Sequence, residues 1–310
     1  MARVIFMGTP RFAVPTLLAL GKGHQVVGVV TQPDRRAGRG RKVVASPVKE
    51  VALARGWPLF QPPTLRSPDA EARLADWDPD VIVVAAFGQI LHKPVLTLPP
   101  HGCLNAHASL LPRYRGAAPI AAAILDGETI TGVTIMHMDE GLDTGPILAQ
   151  AECSIAPDDT TATLTAKLAD AGAELLVTTL PGWLVGQIQA QPQDGSLATY
   201  CRLLKKADGH LDWTQHAANL DRQVRACDPW PGAFTTWHGQ RLKVLRARAR
   251  PAWQGQGRPG QVIELDDGIG VVTGQGVLQL VEVQLAGKKP MTAAVFVRGQ
   301  RDLLGNLLGT

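Results

Sequence analysis

Asp80-Val-Ile-Val-Val-Ala85 is the stretch that decides the fold. After Asp80 every residue is apolar, most are β-branched, and nothing alternates. A strand of that kind is covered on both faces, as in the middle of a parallel sheet. The apolar run continues to Phe87, seven residues from Val81, and is the longest in the chain. A membrane-crossing helix needs about 20 such residues, so no span is expected.

Outward from this strand, the chain alternates strand and helix signals. Arg3–Met7 reads as a strand, then Gly8-Thr9-Pro10 as a turn, then Phe12 to Leu20 as a helix. Gln25–Thr31 is the next strand. Ser46-Pro47 is a cap followed by proline and opens a helix to about Arg55. Past Asp80–Ala85 the expected elements are strands over Gly102–Ala106, Thr131–Met138 and Pro146–Ser154, and helices over Gly116–Leu125 and Thr160–Leu180. Pro181-Gly182 is expected to stop the last of these. Strands alternating with helices predict an α/β domain, a Rossmann-type doubly wound parallel sheet. Gly8 has no partner glycine two residues on, so the dinucleotide-binding loop is not expected.

The texture changes at Gly186, where Gln, Pro and Gly dominate up to Thr199. Beyond lie a helix at Thr214–Ala226 and short strand-like runs broken by glycines at 233–237, 241–249, 260–264, 268–272 and 277–284. A last helix is expected near Thr292–Leu304. This predicts a smaller C-terminal β-barrel, OB-like in type. The expected organisation is a catalytic domain over 1–185, a linker over 186–204 and the barrel domain over 205–310. A chain of 310 residues, 45% hydrophobic and 19% charged, is long enough for two such cores.

Residues 1–204 hold 17 Lys/Arg against 18 Asp/Glu, and residues 205–310 hold 14 against 9. The excess of positive charge therefore sits in the last third. It suits either a polyanionic partner or a plain solubility bias. Four widely spaced cysteines (103, 153, 201 and 227) show no CxxC pair, which predicts free thiols in a reducing compartment. The start, Met1-Ala-Arg-Val-Ile-Phe-Met-Gly8, enters a strand pattern with neither a secretory nor a transit signal, so a cytoplasmic protein is expected.

The candidate chemistry is in Asn105-Ala-His-Ala-Ser-Leu-Leu-Pro-Arg-Tyr-Arg-Gly-Ala-Ala-Pro119 and in Met138-Asp-Glu-Gly-Leu-Asp-Thr-Gly145. Asn105 and His107 stand two apart, hence on one side of an extended segment. An amide N–H from Asn105 and an imidazole N–H from His107 can meet the negative oxygen of a tetrahedral intermediate. Asp143 can hold His107 in one orientation. This is an acyl-transfer set with no serine or cysteine nucleophile and no metal. Between Thr31 and Lys49, six basic residues face one acid, Asp34, among Pro33, Gly38 and Gly40. Such a loop suits a nucleic-acid backbone or is simply solvated. On a strand, the arginines of Arg246-Ala-Arg-Ala-Arg250 would share one face.

Asn105-Ala-His107-Ala-Ser-Leu-Leu-Pro112, with Gly132-Val-Thr-Ile-Met136 and Leu142-Asp143-Thr-Gly145, resembles the folate-dependent formyltransferase family. Phe6–Ala13, Thr31–Arg35, Gly38-Arg-Gly40, Ser46–Lys49, Pro112–Pro119 and Asp228–Gly232 resemble the branch of it that acts on methionyl initiator tRNA. The resemblance implies a Rossmann-type catalytic domain, a linker and an oligonucleotide-binding-type barrel. It implies formyl transfer from 10-formyltetrahydrofolate to the methionyl amine of initiator tRNA. Asn105, His107 and Asp143 then carry catalysis, and Ser109, Leu110, Leu111 and Pro112 line the folate site. Arg35, Arg36, Arg39, Arg41 and Lys42 meet the acceptor stem. A monomer is the default expectation, since no coiled-coil seam is present. His137 and Phe87 depart from the residues more common in the family at those places.

Three other readings remain at this level: a formyltransferase for a small amine, a hydrolase of 10-formyltetrahydrofolate, and a non-enzymatic RNA-binding module. The basic regions argue against the first two, and Asn105, His107 and Asp143 argue against the third.

Overall fold

A computed structural model describes residues 1–37, 42–300 and 302–309, without the side chains of residues 36, 37 and 42. The strands are β1 Arg3–Gly8, β2 Gln25–Val30, β3 Arg35–Ala37, β4 Lys42–Val44, β5 Leu59–Phe60, β6 Val81–Ala85, β7 Cys103–His107, β8 Arg115–Gly116, β9 Ile130–His137 and β10 Ile147–Ser154. They continue with β11 Tyr200–Cys201, β12 Phe234–Trp237, β13 Gln240–Arg250, β14 Val262–Leu265, β15 Gly268–Val272, β16 Val277–Leu285 and β17 Met291–Thr292. The helices are α1 Val14–Gly23, α2 Pro47–Ala54, α3 Pro68–Ala75, α4 Lys93–Leu96, α5 Pro119–Asp126, α6 Thr161–Leu184, α7 Ala217–Ala226 and α8 Ala293–Gly299.

Compactness divides the chain into two units. The first is Met1–Pro119, Ile130–Ser154 and Thr165–Cys201, and the second is Ile120–Thr129, Ile155–Leu164 and Arg202–Thr310. The first holds a seven-stranded sheet in the order β10-β9-β7-β6-β1-β2-β5. Strands β7, β6, β1, β2 and β5 run parallel, and β9 and β10 add antiparallel pairs at one edge. As its composition requires, β6 lies between two parallel neighbours with all five residues buried. Ile5, Met7, Val30, Leu74, Ile82 and Cys103 belong to one apolar cluster of this sheet. Burial there pushes the Cys103 thiol up to about 12, which keeps it a neutral core residue.

The chain moves from β1 to β2 and β5 on one side, then returns to β6 and β7 on the other. Ligands of open α/β sheets bind at the carboxyl ends of the strands where such a reversal occurs. Here the Thr9 hydroxyl after β1 donates to the Phe87 carbonyl after β6 at 3.0 Å, tying the two loops together at that edge.

Local signals account for most helix starts. Ser46 caps α2, its Oγ accepting from the Lys49 N–H at 3.1 Å, with Pro47 following. Ser67-Pro68 repeats this arrangement and opens α3, a helix absent from the expected elements although its start signal was present. Two expected boundaries are corrected. Helix α6 does not stop at Pro181 but runs to Leu184. The helix accepts the loss of the Pro181 donor, and the turn closes at Gly186 (φ 72°), with Gln187 N–H donating to the Gly182 carbonyl at 2.8 Å. The Trp183 indole N–H also fastens that last turn to the His101 carbonyl at 2.9 Å. Gly116, expected to open a helix, is instead paired with β11 together with Arg115, and α5 begins at Pro119.

The second unit holds the antiparallel sheet β12-β13-β16-β15-β14, with β17 beside β16. It is a half-barrel, and α7 and α8 pack against it. Leu220, Val224, Trp237, Val244, Leu278 and Phe296 are among its core residues. Arg246, Arg248 and Arg250 alternate with half-buried alanines on β13 and are exposed. The Arg250 guanidinium pairs with Asp267 and donates to Gln279 Oε1. Among the described residues no helix is long and apolar enough to cross a membrane.

Candidate functional site

Strand β7 carries Asn105 and His107 to its carboxyl end, on the same face by their two-residue spacing. His107 is buried, and both of its ring nitrogens face acceptors. Nε2 donates to the Tyr114 carbonyl at 3.0 Å, and Nδ1 stands 3.6 Å from Asp143 Oδ1. The carbonyl can only accept, so the network places a proton on Nε2. The carboxamide of Asn105 is half-buried and makes no hydrogen bond among the described residues. It is therefore free to meet an incoming oxygen.

The two acceptors around His107 come from unusual backbone. Tyr114 has φ 59° and Asp143 has φ 52°, the left-handed region that side-chain-bearing residues rarely occupy. Ala86, in the loop after β6, has φ 47°. Such conformations persist only where surrounding bonds fix them. For Asp143 one bond is clear: its Oδ2 accepts from the Gly116 N–H at 2.8 Å. For Tyr114 it is the N–H donated to Thr199 Oγ1 at 2.8 Å.

The segment 109–112 is built by buried polar bonds. Ser109 Oγ donates to the Arg113 carbonyl at 2.7 Å, so its hydroxyl shapes the loop. Thr134 of β9, fully buried, donates to the Ser109 carbonyl at 2.7 Å and accepts from the Leu111 N–H at 3.0 Å and from Gln150 Nε2 at 2.9 Å. Gln150 also donates to the Leu111 carbonyl at 2.9 Å. Ser109 and Leu111 are buried, while Leu110 and Pro112 are half-buried.

Of the basic segment, the short strands β3 and β4 pair antiparallel. Arg35 is exposed and donates to Gln32 Oε1 at 3.1 Å. Lys49 is neutralised by Asp34 at 2.6 Å, and this bond with that from Gln61 holds the Asp34 carboxyl below its usual range. Arg39 and Arg41 lie outside the described residues, as do the side chains of Arg36 and Lys42.

His137 is a packing residue. Its ring lies 5.4 Å from Trp183 and fills the space that Gly102 (φ 68°) leaves open. Burial lowers its pKa from 6.5, partly offset by Asp139. A lowered folded-state pKa means the unfolded chain binds the proton first, so this ring contributes a loss of stability as pH falls below about 6.5. His137→Phe is expected to flatten that acid-side slope, read as urea midpoints between pH 5 and pH 7.5.

Sequence reasoning did not single out Gln193 or Gln150 as parts of this site. Gln193 donates to the carbonyls of Asp143 and Gly145 at 2.9 and 2.7 Å and accepts from buried Arg115 at 3.1 and 2.7 Å. It sits in the Gln/Pro/Gly-rich stretch read as a linker, and nothing local marks it. Among the described residues no group of three or more His, Cys, Asp or Glu is placed to hold a metal ion.

A model of the formyl transferase family matches residues 2–180, and a model of the C-terminal domain of formyl transferases matches residues 203–301. The chain belongs to the formyl transferase family. It is 50% identical over 309 residues to a methionyl-tRNA formyltransferase of Roseiflexus castenholzii, covering 99% of both chains. It is 52% identical over 309 residues to one of Thiobacillus denitrificans, again covering 99% of each. Among solved structures, an N-formyltransferase from Helicobacter canadensis in complex with folinic acid and dTDP-3-aminofucose superposes with a TM-score of 0.67 over 93% of this chain and 100% of that one, at 18% identity. At that identity the likeness shows the fold alone. Asn105 and His107 lie on β7, with His107 at its carboxyl end, and Asp143 lies in the segment between β9 and β10.

Proposed function

We propose that this chain transfers the formyl group of 10-formyltetrahydrofolate to the amino group of methionyl initiator tRNA. The observation that carries this reading is its likeness, at 50–52% identity through both units, to relatives that bear that activity in their names. The neutral methionyl amine attacks the formyl carbon, and a carbon–nitrogen bond forms as the carbonyl oxygen becomes an oxyanion. The Asn105 carboxamide, which has no hydrogen-bond partner among the described residues, donates to that oxygen. His107 contributes a second N–H by exchanging the Tyr114 carbonyl for the oxyanion, with Asp143 steering the ring from the other side. The amine loses a proton, the folate nitrogen gains one and leaves, and the products are formylmethionyl-tRNA and tetrahydrofolate.

In this reading Ser109, Leu110, Leu111 and Pro112 form the folate loop, and Arg35, Arg36, Arg39, Arg41 and Lys42 meet the acceptor stem through phosphate contacts. The protein acts as a monomer in the cytoplasm, with residues 205–310 as its OB-like tRNA-binding part. Thr134 holds the folate loop, and Thr134→Val keeps its shape while orphaning the Leu111 N–H and the Ser109 carbonyl. It is expected to lower stability by about 1–3 kcal/mol. It should also raise the KM for 10-formyltetrahydrofolate about tenfold, roughly 1.4 kcal/mol of binding, with kcat little changed. Urea melts and steady-state kinetics check both.

The deciding experiment supplies formyl-labelled 10-formyltetrahydrofolate with charged initiator tRNA, with an amino sugar nucleotide, or with neither. Label on the methionyl amine supports the assignment. Formate released equally without tRNA points to a hydrolase, and label on the sugar amine alone points to a small-amine enzyme. Either overturns it.

A further inference from the structure

The stretch expected to be a connection reaches the candidate catalytic carboxylate. We propose that Gln193 is a positioning residue, which holds Asp143 in the backbone conformation that aims its carboxylate at His107. The proposal rests on the reading above, in which Asp143 steers His107.

Gln193 divides its whole hydrogen-bonding capacity between the 143–145 turn and Arg115. Its Nε2 donates to the Asp143 carbonyl at 2.9 Å and the Gly145 carbonyl at 2.7 Å. Its Oε1 accepts from Arg115 Nε at 3.1 Å and Nη2 at 2.7 Å. A guanidinium only donates and a carbonyl only accepts, so the amide has a single possible orientation. Arg115 immediately precedes Gly116, whose N–H holds Asp143 Oδ2 at 2.8 Å. The bonds therefore close a ring around Asp143. One arm grips its carboxylate through Gly116, the other grips its own carbonyl through Gln193, and Arg115 joins the arms. A residue at φ 52° without such support relaxes toward ordinary backbone, and its carboxylate swings away.

Gln193 is itself held on both sides. Gln191 exchanges two backbone bonds of 2.8 Å with Ile147. Six residues after Gln193, the Thr199 carbonyl accepts from Arg115 N–H at 2.8 Å, and the Cys201 carbonyl accepts from Ala117 N–H at 3.0 Å. Residues 191–201 are thus a brace of the site, in the same compact unit as Asp143.

A structural staple and a positioning residue differ in what they act through. The test measures kcat and KM for formyl transfer to methionyl initiator tRNA, with urea midpoints, for full-length Gln193→Ala, Gln193→Glu, Asp143→Ala and the Gln193→Ala/Asp143→Ala pair. Gln193→Glu keeps a partner for Arg115 but turns an oxygen toward the Asp143 and Gly145 carbonyls. Gln193→Ala and Gln193→Glu should each lower kcat at least about tenfold, the scale of a misplaced catalytic group. The folate KM should move less than about threefold. In the Asp143→Ala background, Gln193→Ala should cost less than about twofold more, because the group it positions is gone. Wild-type kcat in Gln193→Glu, or a Gln193 effect that multiplies fully onto that of Asp143→Ala, overturns the proposal while leaving Asp143 catalytic. Wild-type kcat in Asp143→Ala removes the catalytic reading, and the proposal with it.

Discussion

Replacing Asp143 by alanine is expected to lower kcat about 10²- to 10⁴-fold, the worth of a positioned acid–base group, while the KM for 10-formyltetrahydrofolate changes less than about threefold. The carboxylate faces His107 Nδ1 at 3.6 Å and accepts from Gly116 N–H at 2.8 Å. Its loss therefore frees the imidazole and orphans a part-buried donor. The second effect costs about 1–3 kcal/mol of stability and has to be separated from the first. Asp143→Asn does so, since its amide oxygen still accepts from Gly116 although the charge is gone. It should regain most of the urea midpoint and stay slow. Single-turnover rates with saturating folate read the chemistry directly. A variant that shows only a raised KM refutes the role given to Asp143.

Gly116→Ala should be the most damaging change outside the candidate triad. Gly116 has φ 112°, and an added Cβ would run into the carbonyl of Cys201, its neighbour across the β8–β11 pair. Neither atom is a flexible side-chain end, so the pairing must open. Opening it shifts the N–H that holds Asp143 and, one residue away, Arg115 with its bonds to Gln193. The expected cost is about 2–4 kcal/mol, combining backbone strain with lost pairing. A fall of roughly 10²-fold in kcat should accompany it, since small misplacements of reacting groups cost that much. Gly56→Ala is the control. Gly56 has φ 67° with open space around its Cβ position, so it should lose only about 1 kcal/mol and keep its activity. Equal midpoints and equal rates for the two variants would show that the close approach at Gly116 does not matter.

Much of the fold was legible because its signals are local. Strand β6 announces itself by composition, and α2 by Ser46-Pro47. Strands β12 to β16 lie within a residue or two of their expected positions, and β15 matches at both ends, while β17 had no expected counterpart. Helix α6 shows where local reading ends: Pro181 signals a stop, but the turn is completed beyond it and fastened by Trp183 to His101. Residues 115–116 show the same thing, since a strand partner 85 positions later claims them.

The candidate triad could be named from spacing and residue type. Its wiring could not. The bonds that matter most join residues 27, 50 and 78 positions apart: Gly116 to Asp143, Gln193 to Asp143 and Arg115 to Gln193. No periodicity or turn preference marks an amide in a Gln-rich stretch as the brace of a distant carboxylate.

By itself, the sequence determined the α/β class with a second, β-rich part and offered the candidate residues of a site, because side-chain period, caps and apolar runs act within a few residues. Only the tertiary structure decided that both ring nitrogens of His107 face acceptors, that Asp143 and Tyr114 take left-handed backbone, and that Gln193 bonds to the backbone of Asp143. These depend on where folded backbone places one hydrogen-bonding group within 3 Å or so of another, and that placement is a property of the whole packed sheet.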